Sequence, residues 1–133
     1  WPMGEKPSVA NGVKIAVNYN IIHALQALGE SIALVERQGV DPRDFVELLG
    51  STLFGGVVYQ GYGSIIAEQR YRPAGFTVEL GLKDLVLAEE LAQDLELVMP
   101  SAQVLHAAFA TAVADPELAG SDWSAIAEVT RRS

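Results

Sequence analysis

Hydrophobic and polar positions divide this chain into one long apolar stretch, a glycine-punctuated middle and a second half of shorter amphipathic segments. The long stretch, residues 13–37, reads VKIAVNYNIIHALQALGESIALVER and contains no proline. It predicts a helix of about seven turns at ~3.6 residues per turn. Its apolar residues fall on nearly every face, at Val13, Ile15, Ala16, Val17, Ile21, Ile22, Leu25, Leu28, Ile32, Leu34 and Val35. A helix apolar all round must be covered by other parts of the protein. Before it, residues 1–8 form a non-helical lead-in containing Pro2 and Pro7, with Ser8 the expected N-cap. Behind it, Gly39 is the expected stop, following the cation Arg37.

The remaining elements follow from caps and periodicity. Asp41 before Pro42 starts a helix through Leu49 that Gly50 ends. The glycine-rich, aromatic stretch STLFGGVVYQGYG at 51–63 reads as a loop or a short broken helix, and residues 64–69 as one or two helical turns. Leu85, Ala88, Leu91, Ala92 and Leu95 recur three and four apart and put one apolar face on a helix within 76–95. The alternation FTVELGL at its start also suits a strand, but the helical register and strong helix formers that follow favour a helix. Pro100 and Ser101 open another helix that Asp115-Pro116 closes, and Asp122 caps a last one over 123–131. With no second strand and no internal repeat, the pattern predicts an all-α bundle around the long central helix.

Composition narrows the function. A chain of 133 residues, half of them hydrophobic, is enough for one core and too short for two ordinary domains. The net charge of −8, with Arg131-Arg132 the only adjacent basic pair, opposes a surface that tracks phosphates, so no nucleic acid is expected as a partner. The absence of cysteine removes disulfides and thiolate zinc sites, and no other metal site is expected. No secretory leader follows Trp1, and polar residues interrupt the long helix, so a cytoplasmic protein without a membrane span is expected. A start on tryptophan reads as a piece of something longer.

Candidate chemistry begins with Lys14 and Asn18, four apart and therefore stacked on one helical face. In a cleft, lysine can exchange a proton and asparagine can orient a substrate oxygen. Other polar groups read more simply. Lys83-Asp84 suits a solvated charged pair, His23, Gln26 and Glu30 a polar seam or subunit contact, His106 a structural position, and Glu89-Glu90 a wet face. The glycines of GYG at 61–63 lack the strand and helix that frame a phosphate loop.

Taken in order, K-x-x-x-N at Lys14 and Asn18, GVDP at 39–42, PAGF at 73–76, LGLKDLVLA at 80–88, MPSA at 99–102 and DWSAI at 122–126 run the length of the chain. This series resembles the helical C-terminal domain of the β-hydroxyacid dehydrogenases, the family of 3-hydroxyisobutyrate dehydrogenase, tartronate semialdehyde reductase and the glyoxylate and succinic semialdehyde reductases. The fold that the resemblance implies is the C-terminal bundle of the 6-phosphogluconate dehydrogenase-like superfamily. The activity it implies is hydride transfer between NAD or NADP and a small β-hydroxy acid or semialdehyde. The family's catalytic lysine falls on Lys14, its substrate-binding asparagine on Asn18, and its cofactor-binding positions on Lys83 and Phe76.

The resemblance also implies a preceding Rossmann domain, absent here because no G-x-G-x-x-G follows a strand. Residues 1–133 are thus expected to be the substrate and dimerisation domain, inactive alone and assembling as a homodimer or higher oligomer. Burial of the lysine beside a pyridinium cation would suit it to proton exchange, since free lysine, with a pKa of about 10.4, is a poor base at neutral pH. Three positions depart from the family's usual pattern. Ser8 and Ala10 stand where glycines are common, and Val17 where a further asparagine is common. A second reading is a helical assembly module that kept the fold without the reaction. Retention of Lys14, Asn18 and Lys83 together favours the enzyme.

Overall fold

The computed structural model describes residues 1–133 and contains six α-helices and one 3-10 turn. Helix α1 spans Pro7–Glu36, 30 residues, or about 45 Å at ~1.5 Å per residue. It begins ahead of the expected start because Pro7 occupies the first turn, where proline's fixed φ suits a helix and its missing N–H would be unpaired anyway. Lys6 holds the cap position, so Ser8, the expected N-cap, lies inside the helix. The expectation that α1 is covered along its whole length is also corrected. Its buried residues run only from Ile22 to Ala33, while Val9 and Val17 are 46% and 54% exposed. The physical reason is reach: beside the first turns of α1 lie the far end of α4 and the residues just after it, across an open groove that leaves the remaining faces uncovered.

Helix α2, Pro42–Ser51, starts as the sequence indicates, with the Asp41 carboxylate accepting from the Arg43 N–H at 2.8 Å. Helix α3, Val57–Glu68, is one continuous helix where the sequence suggested a loop or a short broken helix followed by one or two helical turns. Gly63 explains the difference. A Cβ there would lie 2.8 Å from Val46 Cγ1, so this glycine permits close approach of α2 and α3 rather than marking a turn. Helix α4, Val78–Asp94, is capped by the Thr77 hydroxyl, which accepts from Leu80 N–H at 3.3 Å. The alternating residues at its start form no strand, and β pairing is confined to an isolated bridge between Thr77 and Asp122. Helix α5, Ala102–Ala114, leads to the 3-10 turn Trp123–Ile126 and to α6, Ala127–Arg131, with Asp122 accepting from Ser124 N–H at 3.0 Å.

The α2–α3 and α4–α5 pairs pack on either side of α1, and α6 lies along its C-terminal half. Ile22, Leu25, Leu28 and Ile32 of α1 meet Ile66, Val78, Leu85, Phe109 and Ile126 in one core. Each fully buried aliphatic or aromatic side chain contributes about 1.5–3 kcal/mol relative to exposure. A polar clamp closes the end of this core. Arg131 reaches Glu36 through Nε and Nη2 at 2.9 and 3.0 Å, the Ile66 carbonyl at 3.1 Å, and Glu128. The Tyr71 hydroxyl donates to Glu128 Oε1 at 2.7 Å, and its burial beside that carboxylate pushes its pKa far above the usual tyrosine range. The arrangement ties α1, α3 and α6 together and leaves the opposite, N-terminal end of α1 for other work.

Candidate functional site

Lys14 and Asn18 stand one turn apart on α1, just ahead of its buried portion. Lys14 is exposed in this chain. Asn18 is half-buried and donates from Nδ2 to Asp84 Oδ2 of α4 at 2.7 Å. Asp84, expected to be half of a solvated pair with Lys83, is thus engaged across the α1–α4 junction. Lys83 makes no ion pair or hydrogen bond with it and projects into solvent. The one sequence signal for this contact was adjacency to Lys83, because a helix–helix hydrogen bond 66 residues apart leaves no periodic trace.

The distribution of cations is informative. All six arginines donate to protein acceptors: Arg37, Arg43, Arg70, Arg72, Arg131 and Arg132. None of the three lysines, Lys6, Lys14 and Lys83, takes part in a salt bridge. Two ammonium groups without a protein partner, Lys14 and Lys83, lie near Asn18 and Asp84 in sequence. Such a donor set suits an anionic or carbonyl-bearing ligand.

Phe76 lies just before α4, half-buried, with its ring edge-on to Trp123 at 4.6 Å between centroids. Its backbone is held too. The Phe76 carbonyl accepts from Trp123 N–H at 2.7 Å, and Asp122 Oδ2 accepts from Gly75 N–H at 3.3 Å. Asp122 therefore does more than cap the final turn: it anchors the loop that carries Phe76. Tyr62 also packs edge-on against Trp123, at 5.9 Å between centroids, and burial pushes its hydroxyl above the ordinary pKa. The structure brings Asn18 and Asp84 into contact, while Phe76 packs on Trp123 and no hydrogen bond or ion pair joins Lys14 or Lys83 to any of them.

Other polar groups are accounted for locally. His23 bonds the Tyr19 carbonyl through Nδ1 at 2.8 Å and Ser101 Oγ through Nε2 at 2.7 Å, a seam between α1 and the start of α5. His106 Nδ1 pairs with Glu89 at 2.9 Å, so Glu89 is engaged where a wet face was expected, while Glu90 is exposed. No three His, Asp or Glu side chains converge as metal ligands. No helix is long and apolar enough to cross a membrane. An apolar groove of about 580 Å³ runs between the first turns of α1 and the far end of α4, lined by Val9, Val13, Ala16, Leu91, Leu95 and Met99 among others. Its lining includes no charged residue. At ~100° per residue it occupies roughly the opposite flank of α1 from Lys14 and Asn18, so the polar chemistry lies outside it.

Residues 9–130 match the family described as NAD-binding of NADP-dependent 3-hydroxyisobutyrate dehydrogenase. The chain is 38% identical over 126 residues to the "Uncharacterized oxidoreductase YfjR" of Bacillus subtilis (strain 168), covering 95% of this chain and 43% of that protein. It is 30% identical over 112 residues to the "Probable 3-hydroxyisobutyrate dehydrogenase-like 2, mitochondrial" of Arabidopsis thaliana, covering 84% of this chain and 34% of that one. In fold it is similar to the crystal structure of 3-hydroxyisobutyrate dehydrogenase (ygbJ) from Salmonella typhimurium, with a TM-score of 0.88 at 19% identity over 97% of this chain and 45% of the other. The chain thus spans less than half the length of each of these relatives.

Proposed function

The chain belongs to the 3-hydroxyisobutyrate dehydrogenase family, and we propose that it is the helical substrate and dimerisation domain of an NAD(P)-dependent oxidoreductase acting on a small β-hydroxy acid or semialdehyde. The observation that carries this reading is the pair of lysines without protein partners, Lys14 one turn before Asn18 and Lys83 next to Asp84 in sequence, in a chain whose arginines are all occupied. Their donor chemistry fits the polar end of a nicotinamide cofactor and a substrate oxygen. Lys83 and Phe76 would hold the nicotinamide end. Bound there, the cofactor supplies or accepts the hydride.

The residues of this chain manage the proton and the geometry. Lys14 gives a proton to the substrate oxygen in the reducing direction and takes it back in the oxidising one. Asn18, one turn along, donates to that same oxygen and fixes its position. Because Lys14 is exposed in this chain, exclusion of water from it falls to the rest of the full-length enzyme, proposed to include a Rossmann domain that also chooses between NAD and NADP. The isolated chain is accordingly expected to be inactive. The full-length protein is expected to be cytoplasmic and to assemble as a homodimer or larger homo-oligomer.

The exposed apolar groove beside α1 favours a second reading, a helical assembly module without catalysis. One experiment separates the two. Nicotinamide absorbance is followed for the full-length protein against short hydroxy acids and semialdehydes, beside a Lys14→Ala variant. Loss of about 10²–10⁴ in kcat with cofactor binding retained is the expected result. No turnover with any substrate tested refutes the dehydrogenase reading and leaves the assembly module, and turnover indifferent to Lys14 refutes the proton exchange assigned to that residue.

A further inference from the structure

Asparagine in a substrate site has an ambiguity built into it. Its amide can rotate by a half-turn at χ2 and exchange a carbonyl acceptor for two N–H donors with little change in shape. At Asn18 that freedom is removed. An ionised aspartate accepts hydrogen bonds and donates none, and Asp84 Oδ2 lies 2.7 Å from Asn18 Nδ2. The reversed amide would set two acceptor oxygens at that distance, so the NH₂ side must face α4. One N–H is then committed to Asp84, and the second remains a donor of fixed direction.

The partnership is also exclusive. Of the other acids that are not exposed, Glu36 and Glu128 meet Arg131, Asp115 meets Arg132, Glu89 meets His106, and Asp122 accepts from the Gly75 and Ser124 N–H groups and the Ser124 hydroxyl. Asp84 has no cation, not even its neighbour Lys83, and its only side-chain hydrogen bond is the one from Asn18. A carboxylate placed on a helix–helix junction with a single amide partner acts on that amide.

We propose that Asp84 is a positioning residue that locks the Asn18 amide with its remaining N–H available to the reacting substrate oxygen, beside the proton-exchanging Lys14. This rests on the dehydrogenase reading above. The oxygen gains negative charge as the hydride arrives or before it leaves, so a fixed donor acts most strongly in the transition state. Loss of the lock should therefore lower kcat more than it raises KM.

The test is a double-mutant cycle in the full-length enzyme with Asn18→Ala, Asp84→Asn and both together, plus Asp84→Glu. Asparagine at 84 can accept from or donate to Asn18, so it permits both amide orientations, whereas glutamate stays an acceptor. Asn18→Ala is expected to cost about 10²-fold in kcat, within the range for a lost transition-state donor. Asp84→Asn is expected to cost about tenfold, and no more when Asn18 is already alanine, because effects that act through a shared partner do not add. Asp84→Glu should recover most of that loss. Cofactor affinity, read by fluorescence titration of the reduced nicotinamide, should hold in all four.

Asp84→Asn within twofold of wild type, losses that multiply in the double variant, or Asp84→Glu as impaired as Asp84→Asn would each overturn the lock. A wild-type enzyme without turnover would instead overturn the reading beneath it, and the two failures are told apart by the parent activity.

Discussion

Gly29 gives the sharpest quantitative test of the packing. It sits in the buried part of α1, where α6 crosses, and a Cβ added there would lie 2.8 Å from the Ala127 Cα and 2.9 Å from its Cβ. Ordinary carbon contacts fall at about 3.5–4.0 Å, and neither Ala127 atom belongs to a flexible side chain that could turn aside. The two helices must separate. From helix propensity alone, Gly29→Ala would stabilise by about 1 kcal/mol. Overpacking of a well-filled site costs about 1–3 kcal/mol, and contact with backbone belongs at the upper end. The net expectation is a destabilisation of about 2 kcal/mol, or ~8 °C in Tm at about 4 °C per kcal/mol for a chain of this length.

Gly61, inside α3 with nothing within 4 Å of an added Cβ, is the control. Gly61→Ala should keep the propensity gain and stabilise by about 0.5–1 kcal/mol, raising Tm by ~2–4 °C. Thermal and urea melts of both variants decide the matter. If Gly29→Ala stabilises as much as Gly61→Ala, the close crossing of α1 and α6 is wrong, and with it the argument that binds the core to the polar clamp.

Two further outcomes follow from the clamp and from the loop that carries Phe76. Tyr71 is buried against Glu128, which raises its pKa, so its contribution to stability is full below the unfolded tyrosine pKa of about 10 and is lost as pH rises past it. Urea midpoints measured from pH 8 to 11 should fall at the alkaline end, and less steeply in Tyr71→Phe; equal slopes would exclude Tyr71 as the cause. Asp122 is 5% exposed and accepts from the backbone at both Gly75 and Ser124. Asp122→Ala should cost about 2 kcal/mol, from a lost cap and a buried N–H left unpaired, and in the full-length enzyme it should weaken cofactor binding through Phe76. Unchanged affinity beside lowered stability would leave Asp122 a cap alone.

Much of this structure was legible in the residues because its signals are local. Asp41 with Pro42, the three-and-four spacing from Leu85 to Leu95, and Asp122 ahead of the final turn each act within a few residues, where backbone geometry and capping decide the outcome. The ordered motifs carried the family for the same reason: they can be read without knowing what lies across from them. Tertiary structure decided the rest. Glycines at 61 and 63 read as loop or broken helix until Val46 came against Gly63 and made the second of them a contact point inside a helix. The apolar pattern of α1 promised cover over its whole length, yet hydrophobicity states only that a face prefers burial and not which part of the chain will reach it. Asp84 was a surface charge until α1 and α4 crossed and gave it Asn18. Contacts between residues far apart in sequence are fixed when helices pack, and no periodicity along the chain encodes them.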